Sequence, residues 1–150
     1  MRVLGIDPGT CCGWAVLDPD GARLASGTWD LKPRRHDGGG MRYVYLRRYL
    51  AELCTALEPQ AIGYEAVRRH RGVDAAHVYG GIVATLTAVA ESRTIPYQGL
   101  PVAQVKRAAT GKGNASKEMM VEAAQAKWGP VSGHDEADAL WIAWLLLQEV

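Results

Sequence analysis

The sequence predicts an α/β domain built on a mixed five-stranded sheet with helices on both faces. Residues 2 to 31 hold three short apolar runs joined by tight turns. From residue 41 onward, amphipathic stretches of helical length alternate with short apolar strands. The closing segment is almost wholly apolar over helical length, so it must lie against a sheet. A three-strand meander followed by alternating strands and helices gives a mixed sheet covered on both sides.

The elements follow in order. Residues 2 to 7, "RVLGID", read as a buried strand. Residues 12 to 18 and 23 to 31 read as two more, with "DPDG" as the turn between them, which makes an antiparallel meander. "PRRHDGGG", 33 to 40, is a loop. From Met41 to Leu57 the apolar positions 46, 49, 50, 53 and 57 keep helical spacing, with Arg42, Arg47, Arg48 and Glu52 elsewhere and Pro59 beyond the end. "QAIGYE", 60 to 65, is a fourth strand; like the first it ends on a carboxylate. "AVRRHRG" is a loop, and residues 74 to 92 read as a helix despite Gly80 and Gly81. Each of those glycines costs about 1 kcal/mol relative to alanine. A close helix contact, in the core or across a dimer, would account for them. "TIPYQGL" is a short fifth strand. Pro101 can open a short helix to Ala109, "TGKGN" is a glycine loop, and residues 115 to 127 and 134 to 148 are the last helices. With no repeat, low-complexity stretch or second domain, residues 1 to 150 read as a single domain.

Composition narrows the class. A 22% charged content is that of an ordinary globular protein. The longest strongly apolar stretch, "ALWIAWLLL" at 139 to 147, is too short to span a bilayer, and "MRVLGID" lacks the features of a signal peptide. The expected location is therefore cytoplasmic, with no membrane partner. Cys11, Cys12 and Cys54 lack metal spacing and read as reduced, mostly buried thiols.

The net charge of +1 argues against a simple DNA-coating protein, but the distribution is uneven. Between residues 32 and 48, Lys32, Arg34, Arg35, Arg42, Arg47 and Arg48 face one acid, Asp37. Arg68, Arg69 and Arg71 form a second basic run. Lys106, Arg107, Lys112 and Lys117 form a third, free of acids, and the chain beyond Lys117 is strongly acidic. One field for phosphates set against another for cations is what a metal-using nuclease needs. Taken singly, each run also reads as a solvated surface face.

The carboxylates point the same way. If the strands that end on Asp7 and Glu65 are parallel neighbours, both acids stand at the sheet edge where ligands collect. Asp135 and Asp138, three apart at the start of the last helix, share one helix face. Packing of that helix on the sheet can carry both to the same edge. Each acid alone has a plain structural reading: Asp7 as a turn former before Pro-Gly, Glu65 as a solvated strand end, Asp135 and Asp138 as helix N-terminal charges. Four converging acids would cost several kcal/mol each unless compensated. Divalent cations compensate, and oxygen-only ligands favour Mg²⁺ or Mn²⁺. Two such ions about 4 Å apart can clamp the attacking and leaving oxygens of a phosphodiester.

"GIDPGT" with "GWA", "IGYE", "VK" followed by "TGKGNASK", and "HDEADAL" together resemble the RuvC family of Holliday-junction resolvases, over roughly residues 3 to 147. The resemblance implies an RNase H-like fold and a crossover junction endodeoxyribonuclease that uses two Mg²⁺ ions per site, with Mn²⁺ as a substitute. It also implies a homodimer acting on four-way junctions. The family's catalytic, metal-holding acids map onto Asp7, Glu65, Asp135 and Asp138, and its DNA-contacting lysines look like Lys106 and Lys117, with Lys112 in the loop between. Lys117 is the candidate to stabilise charge near the scissile phosphate; Arg68, Arg69, Arg71, Lys106, Arg107 and Lys112 are the candidate DNA contacts. In some members a histidine replaces the third acid. Here Asp135 fills that place, and His134 is a helix-entry residue or a group supporting the site. Where well-known members insert an aromatic into the junction, three residues past the glutamate, this chain has Arg68. That departure, with the short chain and arginine-rich loops, fits a broader branched-DNA nuclease, such as a phage-encoded one, as well as a strict junction resolvase. The location would then be nucleoid-associated or the cytoplasm of a phage-infected bacterium.

Three other readings compete. An actin-like or sugar-kinase-like ATPase shares "D-x-G-T" but needs two lobes around a cleft, and 150 residues suit one. A YqgF-like RNA-processing nuclease shares the fold and the opening motif, but "GYEAV" and "HDEADAL" match it less well. A non-catalytic DNA-binding module has no use for four acids.

Overall fold

The computed structural model describes residues 1–150, in the element order β1 (Val3–Asp7), β2 (Cys11–Leu17), β3 (Arg23–Asp30), α1 (Met41–Leu57), β4 (Ala61–Ala66), α2 (Val73–Ser92), β5 (Tyr97–Pro101), α3 (Val102–Thr110), α4 (Lys117–Trp128) and α5 (His134–Glu149). The sheet order is β3-β2-β1-β4-β5. β1 pairs antiparallel with β2 and parallel with β4; β2–β3 is antiparallel and β4–β5 parallel. The predicted mixed five-stranded sheet is therefore the one observed.

Strand alternation sorts the core into two layers. Leu4, Ile6, Cys12, Val16 and Ile62 pack with Leu46, Leu50 and Leu53 of α1 and Ile82, Leu86 and Val89 of α2. On the other face Val3, Ala15, Leu17 and Ala61 pack with α3, α4 and α5. Leu140, Ile142 and Leu146 of α5 are among the buried side chains, each contributing about 2 kcal/mol by its removal from water. The apolar character of α5 follows from its place between the sheet and α4, where Trp141 stacks edge-on against Trp128.

Some boundaries differ from the expectation. β5 begins at Tyr97 because Thr94 takes a left-handed φ of 58° and turns the chain out of α2. α4 begins at Lys117 because the Ser116 hydroxyl accepts the Met119 N–H at 3.2 Å and caps the helix. α2, rather than residues 139 to 147, is the one helix long and apolar enough by composition to cross a membrane. Its Ile82, Leu86, Val89 and Ala90 pack into the core against the sheet and α1. Gly81 is explained by that packing, since a Cβ there would meet the Tyr43 ring at 2.5 Å; Gly80 faces open space. Cys12 and Cys54 are buried as expected, whereas Cys11 is exposed.

Candidate active site

Asp7 closes β1, and Ile6 pairs with Tyr64, so Asp7 and Glu65 follow side by side at the carboxyl ends of two parallel strands. Alternation directs both away from the α1–α2 layer, toward α5. The first turn of α5 carries Asp135 and Asp138.

Two glycines let α5 come close enough. A Cβ at Gly5 would overlap the Ala139 carbonyl and the Ala143 amide, and one at Gly13 would overlap the Asp135 carbonyl. With no side chain at either position the helix backbone rests directly on the strands. Carboxylate oxygens of Asp7, Glu65 and Asp138 then lie within 4.8 Å of one another. Asp135 stands outside that trio but close enough to Asp7 for its charge to act on it.

The electrostatics record the crowding. Burial, then the charges of Glu65, Asp138 and Asp135, push the Asp7 carboxyl well above the usual range. Burial, then Glu65 and Asp135, raise Asp138 to about 7, opposed by Lys106 and Lys117. Burial raises Glu65 as well, and Lys106 opposes it. Half-buried carboxylates that repel one another and offer only oxygen donors fit a hard divalent cation.

Lys106 of α3 and Lys117, the first residue of α4, stand close enough to act on these acids. Arg68, Arg69 and Arg71 are exposed on the β4–α2 loop, and Lys112 is exposed on the α3–α4 loop. Arg107, also exposed, lies over Gly113 of that loop. None of these five forms an ion pair with a carboxylate. His134 is the first residue of α5 and places Nδ1 3.4 Å from Asp135 Oδ1, so it is both a helix-entry residue and a neighbour of the acids.

Sequence reasoning missed three supports. The Tyr79 hydroxyl of α2 donates to the Glu65 carbonyl at 2.9 Å and accepts the Val67 N–H at 3.0 Å, pinning the chain at Glu65. No local pattern signals this, because the contact joins two elements. Glu136 turns away from the acid trio. It accepts from the Ser132 N–H at 2.7 Å and the Ser26 hydroxyl at 2.5 Å, beside Arg23 at 3.9 Å. Burial alone would raise its carboxyl; these partners hold it below the usual range, so it anchors the first turn of α5 as a charged group. Gly5 and Gly13 could have been found, since glycine inside a strand marks a close backbone approach.

The family model described as "Crossover junction endodeoxyribonuclease RuvC" matches residues 3–145. A protein of that name from Anaeromyxobacter sp. (strain Fw109-5) is 35% identical over 148 residues, 95% of this chain and 71% of that protein. Another from Pelodictyon phaeoclathratiforme is 33% identical over 150 residues, 95% of this chain and 78% of its own length. Among solved structures, Thermus thermophilus RuvC in complex with a Holliday junction substrate aligns with a TM-score of 0.82 at 25% identity, covering 95% of this chain and 90% of that one. The sheet order and helix layers are thus those of the RNase H-like RuvC fold. Sequence motifs, family model and architecture converge, and the chain belongs to the RuvC family of crossover junction endodeoxyribonucleases.

Proposed function

We propose that this protein is a metal-dependent, structure-selective endonuclease that resolves Holliday junctions or other branched DNA. The observation that carries the reading is the convergence of Asp7, Glu65 and Asp138, from three separate elements, within 4.8 Å at the carboxyl edge of the sheet. Asp7, Glu65 and Asp138 would hold Mg²⁺, or Mn²⁺ in its place, and Asp135 beside Asp7 would complete a second ion's ligands. Bound divalent ions supply an activated water and neutralise charge on the phosphate. The protein's own share is to fix these oxygens on strands and a helix start, where the positive end of α5 also favours negative groups. Lys117 is read as the donor that meets charge developing at the phosphate, and Lys106 as a contact orienting it. Arg107, Lys112, Arg68, Arg69 and Arg71 are read as backbone contacts.

Two copies related by a two-fold axis suit a two-fold junction, and the outer face of α2 with exposed Gly80, Ala84 and Ala88 suits close helix contact. Arg68 on its exposed loop can stack on an unpaired base while pairing with phosphate, which would widen the substrate range beyond four-way junctions. A cytoplasmic location goes with this activity. Incubation with Mg²⁺ and end-labelled four-way junction, fork, duplex and structured RNA tests the reading. Paired nicks in branched DNA are expected; cleavage of structured RNA alone, or of no substrate, would overturn it.

A further inference from the structure

On the far side of the carboxylates from Lys106 and Lys112 lies a set of cations with no role so far. β3 runs parallel to β1, and its last residue, Asp30, pairs with Cys11, so the chain leaving it starts at the catalytic edge. This β3–α1 segment carries Lys32, Arg34 and Arg35, and the first turn of α1 adds Arg42. Arg42 Nη1 donates to Thr10 Oγ1 at 2.8 Å, which fixes its guanidinium on the turn that follows Asp7. Arg34 Nη1 donates to the carbonyls of Asp30 and Lys32, and its guanidinium lies 4.3 Å from the centroid of the Tyr45 ring. Asp37 is the one acid of the segment, and its carboxylate accepts from the Tyr45 hydroxyl and the Arg34 N–H. Lys32 and Arg35 are exposed, and none of the four cations forms an ion pair, the pairs being Arg23–Glu136 and His134–Asp135. A merely solvated face would leave such side chains free. Here two guanidinium groups are held in place by neutral oxygens at the edge where DNA would lie, and Asp37 beside Arg34 offsets only one of the four positive charges.

We propose that Lys32, Arg34, Arg35 and Arg42 form a second phosphate-binding flank, which holds the DNA arm leaving the cleaved site on the β3 side. This rests on the nuclease reading above and adds a path: the strand crosses the carboxylates between two cationic flanks. β1 and β3 are two strand spacings apart, about 10 Å, or roughly three nucleotides at about 3.4 Å each. Arg42 on the Thr10 turn therefore stands nearer the cut, and contact with Lys32 and Arg35 begins about three nucleotides from the scissile phosphate.

A scan with single neutral methylphosphonate linkages along the cleaved strand of a four-way junction, with binding measured in Ca²⁺, tests this. Wild type should lose several-fold in affinity for linkages about three to five nucleotides to one side of the cut. Lys32→Gln/Arg35→Gln, at two exposed positions, should bind the unmodified junction at least about tenfold more weakly and show a salt slope lower by about 2. Its sensitivity to those linkages should fall clearly below that of wild type, because only Arg34 and Arg42 remain on that flank, while sensitivity on the other side of the cut is unchanged. An interference profile for the double variant identical to that of wild type overturns the flank alone. Failure of wild type to bind branched DNA at all overturns the nuclease reading and the flank with it.

Discussion

Asp138 offers a quantitative test of the crowded carboxylates that needs no substrate. Its carboxyl is raised from the ordinary 3.8 to about 7 by burial and by Glu65 and Asp135. That rise corresponds to about 4 kcal/mol against the charged form, at 1.36 kcal/mol for each tenfold change in proton affinity. Asp7 and Glu65 are raised too and share the strain, so removing one charge should relieve about 2–4 kcal/mol. In the metal-free protein at pH 8, Asp138→Asn should therefore raise Tm by about 5–15 °C for a chain of this size. The sign follows from proton binding: between pH 4 and 7 the folded state holds a proton that the unfolded state has released. Wild type is thus favoured below that window and loses the contribution as pH rises through 7. The gain from Asp138→Asn should fall to less than half its pH 8 value at pH 5, and Mg²⁺ should stabilise wild type more than the variant at pH 8. Calorimetry in EDTA and in Mg²⁺ at both pH values measures all of this. Equal Tm for both proteins at pH 8 in EDTA, or a larger gain at pH 5 than at pH 8, would refute the reasoning.

Three further outcomes are expected. Gly13→Ala should cost at least about 3 kcal/mol in denaturant unfolding and abolish cleavage, because the new Cβ displaces α5 at Asp135; near-wild-type stability would mean that α5 does not rest on β2. Lys117→Ala should slow single-turnover cleavage about 100-fold, from about 3 kcal/mol of lost transition-state stabilisation, with only a few-fold change in junction affinity; a loss of affinity alone would make Lys117 a simple phosphate contact. Tyr79→Phe should leave the fold intact but raise the Mg²⁺ concentration for half-maximal cleavage, because the Glu65 carbonyl and Val67 N–H lose their common partner; an unchanged metal dependence would remove Tyr79 from the positioning of Glu65.

How much the sequence revealed depended on the range of each contact. The strands ending at Asp7 and Glu65 were readable because apolar runs stop abruptly on carboxylates, and their pairing followed from the β-α-β order. The Asp135–Asp138 spacing separated those two acids from Glu136, whose own burial beside Ser26 and Arg23 depends on residues about 110 positions away and so left no local trace. Gly5 and Gly13 carry a local sign of close approach, glycine inside a strand, but not which element makes it; only the fold shows that element to be α5. Tyr79 reads as one more aromatic on an apolar helix, and only the folded chain brings its hydroxyl to Glu65. Of the two glycines in α2, Gly81 makes the close helix contact that its cost implied, against Tyr43 of α1, though the sequence did not name that partner; Gly80 faces open space.

The proposed activity requires that Asp7, Glu65, Asp135 and Asp138 hold divalent ions that cut branched DNA. The most direct measurement compares wild type with Asp7→Asn on an end-labelled four-way junction, reading cleavage in Mg²⁺ and in EDTA and binding in Ca²⁺. Wild type is expected to cleave in Mg²⁺ and not in EDTA. Asp7→Asn is expected to show no detectable cleavage, with junction affinity equal to wild type or tighter, because one negative charge facing phosphate is gone. Wild-type cleavage in EDTA, or loss of binding by Asp7→Asn in step with its loss of cleavage, would contradict it.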